Sequence, residues 1–244
     1  MRTDIIGVAG LQKNSFIDFP GTVSAVLFFS GCNLRCPYCH NPGIVHAQTK
    51  DIMRSEDLWN FLEKRRGILD GVVLSGGEPT LHRCCASVAS DIRGLGYSVK
   101  LDTNGLLPEK ITEIAPNYLA LDIKTTPKNY TKFLHATYND VEDRLTASIA
   151  IAKEMKENAE IRITIAPDII TIKIIEELAQ ILSGIHSVWL QPMQNTVEML
   201  DPSMQTKKTI PMNEILECQN ILGAKVTNCR IRSGNTMSSV RGYI

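Results

Sequence analysis

Val23-Ser24-Ala25-Val26-Leu27-Phe28-Phe29-Ser30-Gly31-Cys32-Asn33-Leu34-Arg35-Cys36-Pro37-Tyr38-Cys39-His40-Asn41-Pro42 is the stretch from which the rest of the chain can be placed. It opens on an apolar, β-prone run, residues 23–29, and passes straight into Cys32, Cys36 and Cys39. A run of that length and composition reads as a buried strand. The thiols then occupy a tight loop at its C-terminal end. Thiolates are the preferred ligands of soft metals and iron–sulfur clusters, so metal chemistry is expected there. Gly31 and Pro37 suit a loop whose backbone wraps closely round a bound group. A zinc site completed by His40 or His46 is the plainer alternative, although no second Cys pair at finger spacing follows.

Working outward, short β-branched runs alternate with helical patterns. Strands are expected at residues 71–74, 98–102, 118–122, 161–165 and 187–190, besides 23–29. Helices are expected over residues 56–65 with Ser55 as cap, and over 82–94, 140–157 and 173–182. Leu145, Ile149, Ala152 and Met155 share one face of the third of these. Such alternation argues for an α/β fold, a parallel sheet covered by helices. Six strand–helix units fit, fewer than the eight of a complete barrel. Residues 195–211 read as a polar loop, followed by a helix over 213–222 and a strand over 225–231. With no repeat and no linker, residues 1–244 are expected to form a single domain, its core about 16–193 and a C-terminal extension about 194–244.

Composition narrows the function classes. Hydrophobic residues make up 43 % of the 244, enough for a sizeable core. Lys plus Arg equals Asp plus Glu, 26 of each, so no bulk charge points to nucleic acid or an anionic membrane. No apolar run approaches the roughly 18 residues of a membrane span, and the start lacks a signal-peptide cleavage site. A cytoplasmic protein is expected. Seven cysteines, odd in number and unevenly spread, do not make a secreted disulfide framework.

Polar motifs recur at the expected strand ends: Ser75-Gly76-Gly77-Glu78-Pro79, Asp102-Thr103-Asn104-Gly105 and Asp122-Ile123-Lys124. In parallel α/β folds the C-terminal strand ends build the active site. Gly76 and Gly77 let backbone come close to a ligand. Glu78 is the nearest carboxylate for an ammonium. Asp102, Asp122 and Lys124 could form a structural ion pair or hold a ligand. Arg162 and Thr164 share one strand face; Arg162 either reaches a ligand or forms a salt bridge.

The Cys-x3-Cys-x2-Cys loop with Tyr38 before its last Cys, followed by Gly76-Gly77-Glu78-Pro79, resembles the radical S-adenosylmethionine (SAM) enzymes. Phe16-Ile17-Asp18-Phe19-Pro20-Gly21, Cys39-His40-Asn41-Pro42, Asp102-Thr103-Asn104-Gly105 and Asp122-Ile123-Lys124 resemble, more narrowly, the activating enzymes of glycyl-radical enzymes, above all the activating proteins of anaerobic ribonucleoside-triphosphate reductase. The likeness runs from about residue 16 to about 193. It implies a partial (β/α)6 TIM-like barrel of the radical SAM type. It implies that Cys32, Cys36 and Cys39 hold a [4Fe–4S] cluster whose fourth iron chelates SAM. The reaction it implies is reductive cleavage of SAM to methionine and a 5′-deoxyadenosyl radical, which takes a hydrogen atom from a glycine of a partner enzyme. Tyr38, Gly76, Gly77, Glu78, Asp102, Thr103, Lys124 and Arg162 would contact SAM. By likeness to pyruvate formate-lyase activating enzyme, Asp102 and Asp122 would bind a monovalent cation. A flavodoxin- or ferredoxin-type protein would supply the electron. The chemical alternative is a small-molecule radical SAM enzyme such as 7-carboxy-7-deazaguanine synthase. A zinc or cluster-bearing scaffold without catalysis would leave the strand-end motifs unexplained. Cys84 and Cys85 read as small buried hydrophobes, and Cys218 and Cys229 as too isolated for a second cluster.

Overall fold

The computed structural model describes residues 2–46 and 54–232. Their strands form one sheet of eight, in chain order. The chain opens with β1 (Val8–Ser15), which turns back as β2 (Ser24–Phe29). After the cysteine loop come α1 (Pro42–Val45) and α2 (Ser55–Lys64). Strand and helix then alternate through β3 (Gly71–Gly76), α3 (Cys85–Gly94), β4 (Ser98–Thr103), α4 (Pro108–Ile114), β5 (Tyr118–Asp122), α5 (Val141–Met155), β6 (Ala159–Ile165), α6 (Ile172–Ile181), β7 (Ser187–Pro192), α7 (Met212–Gly223) and β8 (Asn228–Ile231). Only the β1–β2 pair is antiparallel; every later pair is parallel. The six expected strands are thus β2 to β7, and the α/β expectation holds. The sheet curls round a central cavity as a partial TIM-like barrel whose edges, among the described residues, are β1 and β8.

Alternation along the strands explains why it curls round a polar interior. Ala25, Leu27 and Phe29 of β2, Val72 and Leu74 of β3, Val99 and Leu101 of β4, and Ile161, Ile163 and Ile165 of β6 face outward into the main core beneath the helices. The intervening residues face inward. On β1 to β3 they are mostly apolar, and Ala9, Val26, Phe28 and Val73 join Phe19 and Ile44 in a small inner cluster. On β4 to β6 the inward positions include Lys100, Asp102, Asp122, Glu160 and Arg162. The inner face therefore changes from oil to charge across the sheet.

Several local expectations shift. Ser55 does not cap α2; Arg54 holds that position and the Ser55 hydroxyl accepts from the Ile5 amide at 2.9 Å. The helix expected from residue 82 starts at Cys85, because Pro79–Leu81 forms a 3-10 turn and His82 Nε2 bonds the Ser30 carbonyl at 2.8 Å. Three elements had no expectation at all. β1 carries no alternation, its first five residues all being buried. α1 and α4 are only four and seven residues long.

Candidate functional site

The cysteine loop leaves β2 and is tied down from both sides. Arg35 donates its amide to Phe133 O at 2.7 Å, and His135 donates to Asn33 O at 2.9 Å, so residues 133–135 pair with the first half of the loop. Leu200 donates to Cys39 O at 3.0 Å and Asp201 to Pro37 O at 2.9 Å, so the segment after β7 holds the second half. The Arg35 guanidinium closes on Cys32 O and Leu34 O at 2.7 and 2.9 Å. Cys32, Cys36 and Cys39 all line the central cavity. Burial pushes the Cys32 thiol up to about 12 and the Cys36 thiol up to about 11, and raises Cys39 as well. Without a metal these are neutral thiols; a metal must displace their protons.

The loop after β3 is zipped to the cysteine loop. Gly77 donates to Phe29 O at 2.8 Å, and Glu78 donates to Gly31 O at 2.9 Å. Gly76 adopts φ +116°, a backbone region that favours glycine, and a Cβ there would lie 2.3 Å from Phe29 N. The space freed by these glycines is thus filled by the stem of the cysteine loop, while both still line the cavity.

Glu78 is buried and is not among the residues that line the cavity. The carboxylate accepts from Thr80 N (3.1 Å), Thr80 Oγ1 (2.6 Å), Thr103 Oγ1 (2.7 Å) and Asn104 N (2.8 Å). Asn104 Nδ2 in turn donates to Asn33 Oδ1 at 2.7 Å, and Asn33 Nδ2 to Tyr138 Oη at 3.0 Å. The ends of β2, β3 and β4 and the segment before α5 are locked together through buried polar groups, each with its partner.

Below this lock lies an ionic group. Lys100, almost fully buried, reaches Asp102 Oδ1 at 2.6 Å and Glu160 at 3.9 Å. Arg162 faces Asp122 across the β5–β6 register and grips it through Nε (2.6 Å) and Nη2 (3.1 Å), while Nη1 reaches Asp102 Oδ2 at 3.1 Å. Lys124 lies 3.2 Å from Asp122 Oδ2. Burial opposes charge on both aspartates, but Arg162 with Lys100, and Arg162 with Lys124, hold Asp102 and Asp122 below the usual carboxylate range. Burial opposes charge on Lys124 too, and Asp122 overrides it.

The cavity, about 1230 Å³ with the solvent at its mouth, brings together nearly all the residues singled out in the sequence: the three cysteines with Tyr38, Gly76, Gly77, Asp102, Thr103, Asp122, Lys124 and Arg162. Glu78 is outside its lining. The Tyr38 hydroxyl favours ionised Cys36 and otherwise has no hydrogen-bond partner; His40 Nε2, also buried, has none either among the described residues. Such orphaned groups at the cysteine loop fit a site that receives a further group. Among the described residues no three His, Cys, Asp or Glu side chains gather about a single-ion position. Asp18, in the β1–β2 turn, lines the far end, so the cavity runs the length of β2. Lys100, Glu160 and Arg232 were not anticipated. Their signal was the inward register: each shares a strand face, or a strand end, with residues already singled out. Cys85 and Cys218 are buried in the main core, away from the cavity lining.

Residues 26–180 match the radical SAM superfamily. The chain belongs to that superfamily. Over 238 residues it is 31 % identical to a protein of Methanocaldococcus jannaschii provisionally named a glycyl-radical enzyme activating enzyme, covering 93 % of this chain and 96 % of the relative. Over 203 residues it is 27 % identical to 7-carboxy-7-deazaguanine synthase of Aquifex aeolicus, covering 82 % and 81 % of the two chains. The solved structure of Streptococcus suis SuiB bound to precursor peptide SuiA superposes with a TM-score of 0.64 at 15 % identity, over 85 % of this chain and 48 % of that one, which bears on the fold alone. The radical SAM superfamily implies a [4Fe–4S] cluster and SAM. Among the described residues no helix is long and apolar enough to cross a membrane.

Proposed function

We propose that this radical SAM chain is the activating enzyme of a glycyl-radical enzyme, with an anaerobic ribonucleoside-triphosphate reductase as its partner. Cys32, Cys36 and Cys39 hold the cluster, and SAM lies in the cavity they share with Lys124, Asp102 and the loop after β3. When bound, the reduced cluster supplies the single electron that breaks the sulfonium C–S bond of SAM. The chain's own residues bind and orient. Lys124, spending one contact on Asp122, offers its remaining N–H donors to the SAM carboxylate. Gly76 and Gly77 present backbone to the amino group. Thr103, whose hydroxyl is taken by Glu78, has its backbone carbonyl for the same purpose. Glu78 acts through Thr103 and Asn104 rather than on the ligand. Tyr38 and His40 turn their orphaned atoms toward the cluster's surroundings. An electron arrives from a flavodoxin- or ferredoxin-type protein.

The observation that carries the reading is the full-length likeness to the archaeal protein named as an activating enzyme, 93 % of one chain and 96 % of the other. The turn before β2 supports it: Phe16 and Ile17 are 76 % and 46 % exposed next to Asp18 of the cavity, apolar surface suited to a protein substrate. The second reading, a deazapurine-forming enzyme, has the shorter and weaker likeness. Release of 5′-deoxyadenosine from SAM by the anaerobically reconstituted, reduced protein separates them. Stimulation by the reductase supports the activase. Stimulation by a deazapurine precursor and none by the reductase overturns it.

A further inference from the structure

The resemblance to pyruvate formate-lyase activating enzyme carries an expectation of a monovalent cation between Asp102 and Asp122. The donors at that point belong to the chain itself. All four carboxylate oxygens are engaged by a cation. Asp102 Oδ1 takes Lys100 at 2.6 Å and Asp102 Oδ2 takes Arg162 Nη1 at 3.1 Å. Asp122 Oδ1 takes Arg162 Nε at 2.6 Å, and Asp122 Oδ2 takes Arg162 Nη2 at 3.1 Å and Lys124 at 3.2 Å. Ser75 Oγ is a fourth donor residue, 3.2 Å from Asp102 Oδ2.

The charges also close without an added ion. Asp102, Asp122 and Glu160 are matched by Lys100, Lys124 and Arg162, and Arg232 lies 3.8 Å from Glu160 as a further cation. A hard cation needs oxygen ligands not already spent on N–H donors. An ion placed between these two carboxylates would meet a delocalised guanidinium that is permanently charged, in a buried site where repulsion is weakly screened. Arg162 is pinned there by register: it stands directly opposite Asp122 on the neighbouring parallel strand. Its planar fork bridges to Asp102 one strand further on, as a spherical ammonium could not.

We propose that Arg162 is the site's built-in cation, standing where a monovalent ion would bind between Asp102 and Asp122, so that this chain needs no alkali ion to hold the two aspartates in place. The inference concerns the protein itself and is independent of which substrate it acts on. Arg162 is a positioning residue: it acts through Asp122, which orients Lys124, and through Asp102.

The test uses thermal unfolding of the full chain at one ionic strength in potassium, sodium and tetramethylammonium chloride, the last ion being too large for the site. The wild type should have one midpoint in all three salts. Arg162→Gln leaves the two aspartates short of one charge and should melt at least about 3 °C higher in potassium or sodium than in tetramethylammonium. Arg162→Lys, which keeps the charge, should again be indifferent. A wild-type midpoint that depends on potassium or sodium overturns the proposal, and that measurement decides even if Arg162→Gln fails to fold. An Arg162→Gln protein that folds and is indifferent to the salt overturns it as well.

Discussion

The carbonyl oxygen of Gly31 lies where a side chain at Gly77 would begin: a Cβ on Gly77 would fall 1.9 Å from it. The first and second motifs of the site are therefore in backbone contact, and the glycine is required by the protein's own packing before any ligand arrives.

Gly77→Ala forces the two loops apart, since backbone cannot swing aside as a flexible side chain does. The expected cost is about 3 kcal/mol, the upper end for overpacking, read by denaturant unfolding, with iron bound per chain falling sharply after reconstitution. Gly94→Ala, where a Cβ meets nothing within 4 Å, is the control. It should be neutral or stabilise by about 0.4–1 kcal/mol through the unfolded chain.

Glu78→Gln distinguishes a lock from a ligand. Four donors converge on the carboxylate. An amide puts its own N–H groups against some of them, leaving buried donors unmatched at about 1–3 kcal/mol. The expected result is a lower unfolding midpoint in the cluster-free protein. Full stability with weaker SAM binding alone would place Glu78 on the ligand instead.

The thiols give a pH dependence with a definite sign. Burial raises Cys32 from 9.0 to about 12 and Cys36 from 9.0 to about 11, so the unfolded chain releases these protons at lower pH than the folded one. Their stabilising contribution is complete below about pH 9 and is lost as pH rises towards 11 and 12. Cluster-free protein should lose stability over that window, and Cys32→Ala/Cys36→Ala should lose less, as followed by circular dichroism. Binding iron removes the same protons, so cluster assembly should improve as pH rises from 6 to 9, within about that range.

Lys100 is the buried cation the sequence did not announce. Lys100→Met strips Asp102 of its 2.6 Å partner inside the barrel. Breaking one side of a buried pair costs about 3–5 kcal/mol. Unfolding by urea should show that loss with an unchanged m-value.

The sequence made the outward face of the sheet legible because Leu27, Val72, Leu101 and Ile161 sit in β-prone runs bounded by turn residues. The cysteine spacing and the strand-end motifs identified the rim, and these residues do share one cavity. The inward partners were harder. Lys100 and Glu160 look like ordinary strand polar residues until the closed sheet turns their shared face inward, beside Asp102 on β4 and Arg162 on β6. β1 hid for a related reason: buried on consecutive positions, it shows no period of two. For Glu78 the sequence suggests a ligand, a carboxylate after two glycines, and could not reveal the hydrogen bonds that Thr80, Thr103 and Asn104 donate to it in the fold. The segments 133–135 and 200–201, which clamp the cysteine loop, act through backbone atoms and leave no side-chain signature.

The activase claim meets its most direct test in electron paramagnetic resonance of the reconstituted, reduced protein mixed anaerobically with SAM and its host's ribonucleoside-triphosphate reductase. A glycyl-radical doublet on the reductase, abolished by Cys36→Ala in the activating chain, is the expected result. Intact cluster and SAM cleavage with no glycyl radical on any glycyl-radical enzyme of the host would contradict it.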